Sequence, residues 1–509
     1  MQWLDLFLAF LPILSILVLM LGLRWKSTRA GVVSWVLALI IAWLRFGAGP
    51  RILWWAQIRG FFLAIYVLFI IWGALFFYRA SEATGTIAAM GTLIRRLSPN
   101  RALQVLLLAW GLASFLQGVG GFGVPVAVIA PLMAGMGFPL VASVVMPSLG
   151  HAWSVSFGSL GSSFFALMAA TGLPGDMLAP WSAIHLGLSC LFLGAATLWV
   201  AGGKIALRQA ILPLVIMGLT MAGVQWLAAW VGLWNIAAML GALAGLLVGG
   251  LWAHWRAPQS WEGAETREML RTALIPYGVL LILIFATKFI PPLQAMLDVV
   301  TFQIEVPALE TAKGWLIPAA PTRSISLFGH TGAILIYASL LTLGLGKRWG
   351  RLEQGDVKAV LGKVVRGGLS STLSILSMVA LASTMDHAGM ITLLAREMAQ
   401  AAGALLPLIS PFIGALGAFV TGSNTNSNVL FAALQQEAAG ALGYSVPLIL
   451  AAQNAGAAIG STFAPAKIIV GCSTVDLEKG EGETIRQLLR YDIPVLAVLA
   501  LLTWALTGR

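Results

Sequence analysis

Residues 419–428 read FVTGSNTNSN, and every residue from Thr421 to Asn428 is polar or glycine, none of them charged. No Asp, Glu, Lys or Arg occurs between Met398 and Gln436. Asn424, Thr425, Asn426, Ser427 and Asn428 offer amides and hydroxyls, which donate and accept hydrogen bonds without carrying charge. With Gly422 and Ser423 they suit the holding of a small anion, or of a cation stripped of water. A second stretch, FLQGVGGFG, sets Gln117 before Gly118, Gly120, Gly121, Phe122 and Gly123. Such glycines let backbone N–H groups approach a carboxylate closely. Further along each half comes another small-residue patch: HAWSVSFGSLGSS (151–163), with His151, and QNAGAAIGSTFAP (453–465), with Gln453 and Asn454. Bland readings stand beside these. Thr421–Asn428 could be an ordinary turn outside the membrane, Gly118–Gly123 a site of close helix packing, and His151 a packed neutral histidine. Asp386 and His387 lie in the apolar run 368–395 and read either as a proton carrier or as residues at a helix end.

The elements that must position these residues follow from composition. Of 509 residues, 59% are hydrophobic and 10% charged. Apolar runs long enough to cross a bilayer recur throughout, which predicts an all-α polytopic membrane protein with about 12–14 transmembrane or half-spanning helices. The formal charge of +11 does not signal a nucleic acid. The basic residues cluster between apolar runs, at Arg24/Lys26/Arg29, Arg95/Arg96/Arg101, Lys204/Arg208, Lys347/Arg348/Arg351 and Arg486/Arg490. That is the positive-inside pattern of a plasma (inner) membrane protein, with the N-terminus facing outward. The first apolar run, Leu6–Leu23, lacks a basic n-region and reads as a span. Cys190 and Cys472 imply no disulfide framework. No phosphate-binding loop, metal spacing, nucleophile–base pair or dinucleotide fingerprint is present, so no cofactor is expected.

Residues 102–175 contain no Asp, Glu, Lys or Arg. One helix of that length would run roughly 110 Å, so the chain must turn back several times, through tight turns or re-entrant hairpins. Irregular backbone at membrane depth survives only where it is buried in protein or lines a wet cavity. The polar segment 254–272 reads as the longest soluble connection. It divides an N-terminal transmembrane half (1–253, hairpin near 115–133) from a C-terminal half (273–509, hairpin near 411–436). Residues 347–366 read as a cytoplasmic loop followed by a surface amphipathic helix. The likeness of Phe115–Gly118 to Phe419–Gly422 suggests two repeats with broken-helix hairpins and a site at their interface.

Three segments carry a resemblance: FLQGVGGFGVPVA (115–127), FVTGSNTNSNVLFAALQ (419–435) and AAQNAGAAIGSTFAPAKI (451–468). They resemble the L-lactate permease family, proton-coupled importers of lactate, glycolate and related 2-hydroxy acids. The resemblance covers most of the chain. It implies a secondary transporter that binds substrate between paired hairpins. This sequence departs from the family pattern at three places. Gln117 stands where the family has Glu, Asn424 where it has Asp, and Ser461 where it has Lys after Gly460, with a lysine appearing later at Lys467. An amide cannot carry a proton, so proton coupling through positions 117 and 424 is excluded. Asp386, with His387 or His151, is one candidate for a relocated carrier. Ser423-Asn424-Thr425 is another kind of candidate, a sodium site, because it resembles the Ser-Asn-Thr of divalent-anion/sodium symporters.

The expectation is a permease that imports a small organic anion, foremost a 2-hydroxy monocarboxylate, by cation symport and alternating access. Its partners would be that anion, a proton or sodium ion and the lipid bilayer, with a homo-oligomer open. Alternatives are a sodium-coupled carrier of another small carboxylate or sulfonate, a passive anion channel, an intramembrane enzyme, and a sensor that keeps the fold without transport.

Overall fold

The computed structural model describes residues 2–23, 25–96, 98–121, 123–256, 264–352, 356–477 and 480–508. Phe122 lies outside them. The first group of helices is α1 (Gln2–Leu17), α2 (Ser27–Leu44), α3 (Pro50–Ala83) and α4 (Thr86–Arg96). A helical rod, Arg101–Val119, follows; it comprises α5 (Arg101–Val105), a π-helical stretch and α6 (Ala113–Val119). Then come α7 (Val124–Gly135), α8 (Leu140–His151), α9 (Gly158–Thr171), α10 (Gly175–Trp230) and α11 (Ala237–Arg256). After α12 (Ala264–Phe289) and α13 (Pro291–Leu297) the chain leaves helix for six short strands. These are β1 (Thr301–Phe302), β2 (Glu305–Val306), β3 (Leu309–Glu310), β4 (Leu316–Ile317), β5 (Ala320–Pro321) and β6 (Ile325–Ser326). They pair antiparallel as β1–β6, β2–β5 and β3–β4, a nested ladder. The remaining helices are α14 (Thr331–Arg348), α15 (Asp356–His387), α16 (Met390–Ala402), α17 (Leu406–Thr421), α18 (Asn424–Leu442), α19 (Val446–Gly460), α20 (Pro465–Ser473) and α21 (Glu481–Leu506).

Ten helices among the described residues are long and apolar enough to span, or eleven if the pair bent by 50° at 154–158 is one broken span. α10 is interrupted at Gly202 and Gly203, where Gly203 has φ +58°, directly before the basic Lys204. It therefore folds two spans. The expected fold class, all-helical and polytopic with broken helices, is what the chain adopts.

Packing between helices comes in reciprocal pairs. α2 packs on α15 as α14 packs on α3; α9 packs on α18 as α20 packs on α7; α10 packs on α19 as α21 packs on α8. Likewise α1 packs on α16 as α12 packs on α4, while α3 and α15 pack on each other. The chain from α1 into α10 is thus repeated by α12 and α14–α21. α4 carries Arg95 and Arg96, while the side that α16 buries is a stripe of Met390, Ile391, Leu394, Ala395 and Ala399. Small residues let the second repeat close tightly. A Cβ on Gly414 would lie 2.1 Å from the Gln453 carbonyl oxygen, and one on Gly460 2.2 Å from that of Ala415, so α17 and α19 meet backbone to backbone.

Two boundaries differ from the sequence expectation. α11 runs to Arg256 and α12 begins at Ala264, so most of 254–272 is helix, and 257–263 lie outside the described residues. Glu268 pairs with Arg351 at 2.9 Å, so these charges belong to a helix start at the membrane surface. Likewise 347–366 is not a loop plus a separate surface helix. α14 ends at Arg348 and α15, a 32-residue span, begins at Asp356. The longest non-helical stretch among the described residues is 298–330, which carries the strands.

Candidate functional site

Each repeat contains a re-entrant hairpin and a broken span. The first hairpin descends along Arg101–Val119 and returns along α7, and its arms pack together. Arg101 closes its base by stacking over the Phe138 ring at 4.2 Å and donating to the Met136 carbonyl at 3.0 Å. Its tip turns through Gly121 (φ +57°) and Gly123 (φ +83°), and Pro125 lies in the first turn of α7. The second hairpin is α17 and α18. Gly422 (φ +73°) makes the turn, and Ser423 caps α18 by accepting from the Asn426 amide. The broken spans are α8 with α9 and α19 with α20. Ser159, Leu160 and Gly161 hold three consecutive left-handed conformations (φ +47°, +54° and +80°). For the first two this is a strained choice that its surroundings must enforce.

By the positive-inside rule Lys26, Arg29, Arg95, Arg96, Arg208 and Arg351 face the cytoplasm. The first hairpin then enters from inside and the second from outside, and their tips meet the two breaks. A cavity of about 490 Å³ lies there. It is lined by Gln117, Gly123, Ser159, Ser162, Ser163, Thr421–Asn426 and Lys467, and it extends to Ser27, Arg79 and Gly367 on the cytoplasmic side. The N-terminal ends of α7, α18 and α20, and of α9 beyond its left-handed run, all point partial positive charge at it.

The hydrogen bonds separate the lining from its support. Asn428 donates to the Ser163 carbonyl at 3.1 Å and to Asn454 Oδ1 at 2.9 Å. Asn454 Oδ1 also accepts from Ser156 at 2.6 Å. Gln453 donates to Ser427 Oγ at 3.2 Å and accepts from Gln435 at 2.5 Å. These four predicted residues, Ser427, Asn428, Gln453 and Asn454, therefore stitch the second hairpin to both broken spans behind the cavity. Thr425 Oγ1 lies 3.0 Å from Ser163 Oγ, and Asn426 Nδ2 donates to Ser374 Oγ at 3.1 Å. By contrast Gln117 Oε1 and both polar atoms of Asn424 are buried without a partner. The two amides that replace expected carboxylates are thus, with Asn426 Oδ1, lining groups left free to bind.

Other predicted residues fall elsewhere. A Cβ on Gly118 would lie 2.9 Å from Met239 of α11, and one on Gly120 3.1 Å from Tyr78, so these two glycines serve packing. Gly121 abuts Ser159. His151 is buried at the end of α8 with Nδ1 2.6 Å from the Pro147 carbonyl, outside the cavity lining. Asp386 and His387 end α15 and line a separate outer cavity of about 450 Å³ with Arg59 and Glu437. The Asp386 side chain is 45% exposed. A small apolar cluster, including Val67, Ile71, Ile375, Val379 and Val429, stands between the two cavities. Ile71 and Ile375 line the inner one, and Val379 and Val429 the outer.

Two groups were not among the predicted site residues. Lys467 joins the cavity, its Nζ donating to Ser461 Oγ at 3.0 Å. Asp492 is 0% exposed and both its oxygens lack a partner. The helices packed on α21 are α8, α10, α17, α19 and α20. Their titratable and charged groups are His151, Asp176, His185, Cys190, Lys204, Arg208, Lys467 and Cys472, and none bonds to Asp492. Among the described residues no cluster of His, Cys, Asp and Glu could hold a metal ion.

The sequence profile described as L-lactate permease matches residues 5–507. Similar proteins include the L-lactate permease of Escherichia coli strain K12, 25% identical over 98% of this chain and 95% of that protein. The Glycolate permease GlcA of the same strain is 27% identical over 97% of this chain and 94% of its own length. The L-lactate permease of Bacillus subtilis strain 168 is 25% identical, covering 94% and 92%. Among solved structures the YdaH transporter of Alcanivorax borkumensis shares the fold, with a TM-score of 0.51 at 15% identity over 95% of this chain and 98% of that one.

Proposed function

Since the chain belongs to the L-lactate permease family, we propose that it moves a small 2-hydroxy monocarboxylate, lactate or glycolate, across the cell membrane by cation-coupled alternating access. It is a multi-pass membrane transporter, and its relatives are permeases rather than enzymes. One observation carries the substrate class. The cavity at the hairpin tips gathers helix N-termini, the unpartnered amides Gln117 and Asn424, and cations, with no Asp or Glu in its lining. Such a site favours an anion, and its amides suit the hydroxyl and carboxylate oxygens. The apolar cluster between inner and outer cavities supports alternating access over a channel.

For the coupling ion we favour the proton, held at Asp492. A carboxylate buried in the membrane is a functional group by default, and this one has no structural bond to make. Asp386 sits at a helix end in the outer cavity, which supports the helix-end reading of the two open to it.

The test is uptake of labelled lactate and glycolate into proteoliposomes under separate proton and sodium gradients. Accumulation driven by protons, lost in Asp492→Asn while exchange of substrate for substrate persists, is the expected result. Accumulation driven only by sodium would move the coupling site to Ser423-Asn424-Thr425. Equilibration without accumulation would mark a channel.

A further inference from the structure

Two cations line the inner cavity, Arg79 and Lys467. Arg79 already has a counter-charge, since its Nη1 pairs with Glu82 at 2.8 Å, although its Nε has no partner. Lys467 has no acidic partner among the described residues. Its bond is to a neutral hydroxyl, Ser461 Oγ, which in turn donates to the Ala458 carbonyl at 2.9 Å. An ammonium facing a cavity within the membrane, with no counter-charge, calls for one from the ligand. The route by which it arrives is unusual. Lys467 is in the first turn of α20, and Ser461 caps the end of α19, on the other side of the break at 461–464. The side chain folds back across that break, so its charge arrives at the residue that follows Gly460. Gly460 itself cannot shift, because a Cβ there would lie 2.2 Å from the Ala415 carbonyl oxygen.

We infer that Lys467 is the cation that pairs with the substrate carboxylate, and that Ser461 holds its ammonium in place. This rests on the anion-carrier reading and names the group that sets its charge selectivity. One uncommitted cation and no carboxylate balance a monoanion. A second carboxylate on the ligand would find only uncharged amides and hydroxyls around it, so dicarboxylates are rejected. Because the charge belongs at position 461 in space, a lysine placed there in sequence should replace it.

The experiment compares wild type, Lys467→Ala and the double variant Ser461→Lys/Lys467→Ala in detergent and in proteoliposomes. Lactate, glycolate, methanesulfonate and malonate are the probes, read by thermal stabilisation and by substrate exchange. Wild type should respond to the monoanions and not to malonate. Lys467→Ala should raise KM for exchange about tenfold or more, the loss of one charge-assisted contact. The double variant should recover to within about threefold of wild type, a difference below 1 kcal/mol. Lys467→Ala that binds and exchanges as wild type overturns the inference alone. So does a folded Lys467→Ala that is inactive and not rescued by lysine at 461, which would mark a structural role. Should Lys467→Ala not fold, Lys467→Gln keeps the stem and the same two outcomes apply. A wild type that responds to none of the monoanions overturns the inference and the carrier reading together.

Discussion

Asn424 and Asn428 stand one helical turn apart and face different tasks. Asn428 is fully buried and bridges Ser163 to Asn454, while Asn424 leaves both its polar atoms free at the cavity. Asn428→Ala therefore costs stability, about 1–3 kcal/mol, because it strips bonds from buried groups. Asn424→Ala leaves the melting temperature near wild type and weakens lactate binding instead. Thermal unfolding measured beside substrate titration separates the two, and a melting temperature lowered as much by Asn424→Ala would refute the division. Sequence alone marked both as binding residues, because a run of uncharged polar residues does not say which of them point at neighbours. Lys467 was noted in the sequence as a displaced lysine but given no site role, because that role depends on a side chain folding back over a break, a contact no spacing rule encodes. Asp492 follows Arg490 and Tyr491 and reads as one more surface charge. α21, however, begins at Glu481, which places Asp492 about 17 Å along the helix.

At the level of elements, the hairpins were legible because charge had been kept out of them. A helix that must turn inside the membrane shows as polar or glycine residues without Lys, Arg, Asp or Glu, and both Gly118–Gly123 and Thr421–Asn428 fit. The strand ladder at 301–326 was not legible, since two-residue strands carry no periodicity to detect. The first tip and the first break touch so closely that they must move together. A Cβ on Gly121 would fall 1.6 Å from Ser159 Oγ, at a backbone angle that already disfavours any side chain. Gly121→Ala should thus cost about 1–2 kcal/mol from its backbone alone and push the tip off the break. Exchange should fall about tenfold, as expected when binding groups are misplaced by about 1 Å. Adding Ser159→Gly removes the clash, and partial recovery of exchange is the expected outcome; no recovery would place the defect elsewhere.

Across the whole molecule, the reciprocal packing of the repeats explains why a single apolar cluster can serve as the barrier. α3 and α15 pack on each other across the repeats, and each also presses on a site helix of its own repeat, α15 on α18 and α3 on α9. In the alternating access proposed above, parting these pairs would open the outer cavity toward the hairpin tips. Cys190 and Cys472 are both buried, so an introduced cysteine can be labelled selectively. Ile71→Cys should react with a membrane-impermeant maleimide from the cytoplasmic side and Val379→Cys from the outside. Saturating substrate should change the two rates in opposite directions. Rates that rise together would indicate a continuous pore.

The left-handed run at Ser159–Leu160–Gly161 has no counterpart at 461–464, where every described residue keeps negative φ. Two residues other than glycine held this way store about 1–3 kcal/mol each. If the two states of the proposed cycle hold this run differently, it enters the free-energy gap between them and helps set how many empty carriers wait on each side of the membrane. Relieving it, with glycine at Leu160, would move that waiting population and change apparent affinity without altering any contact to the substrate.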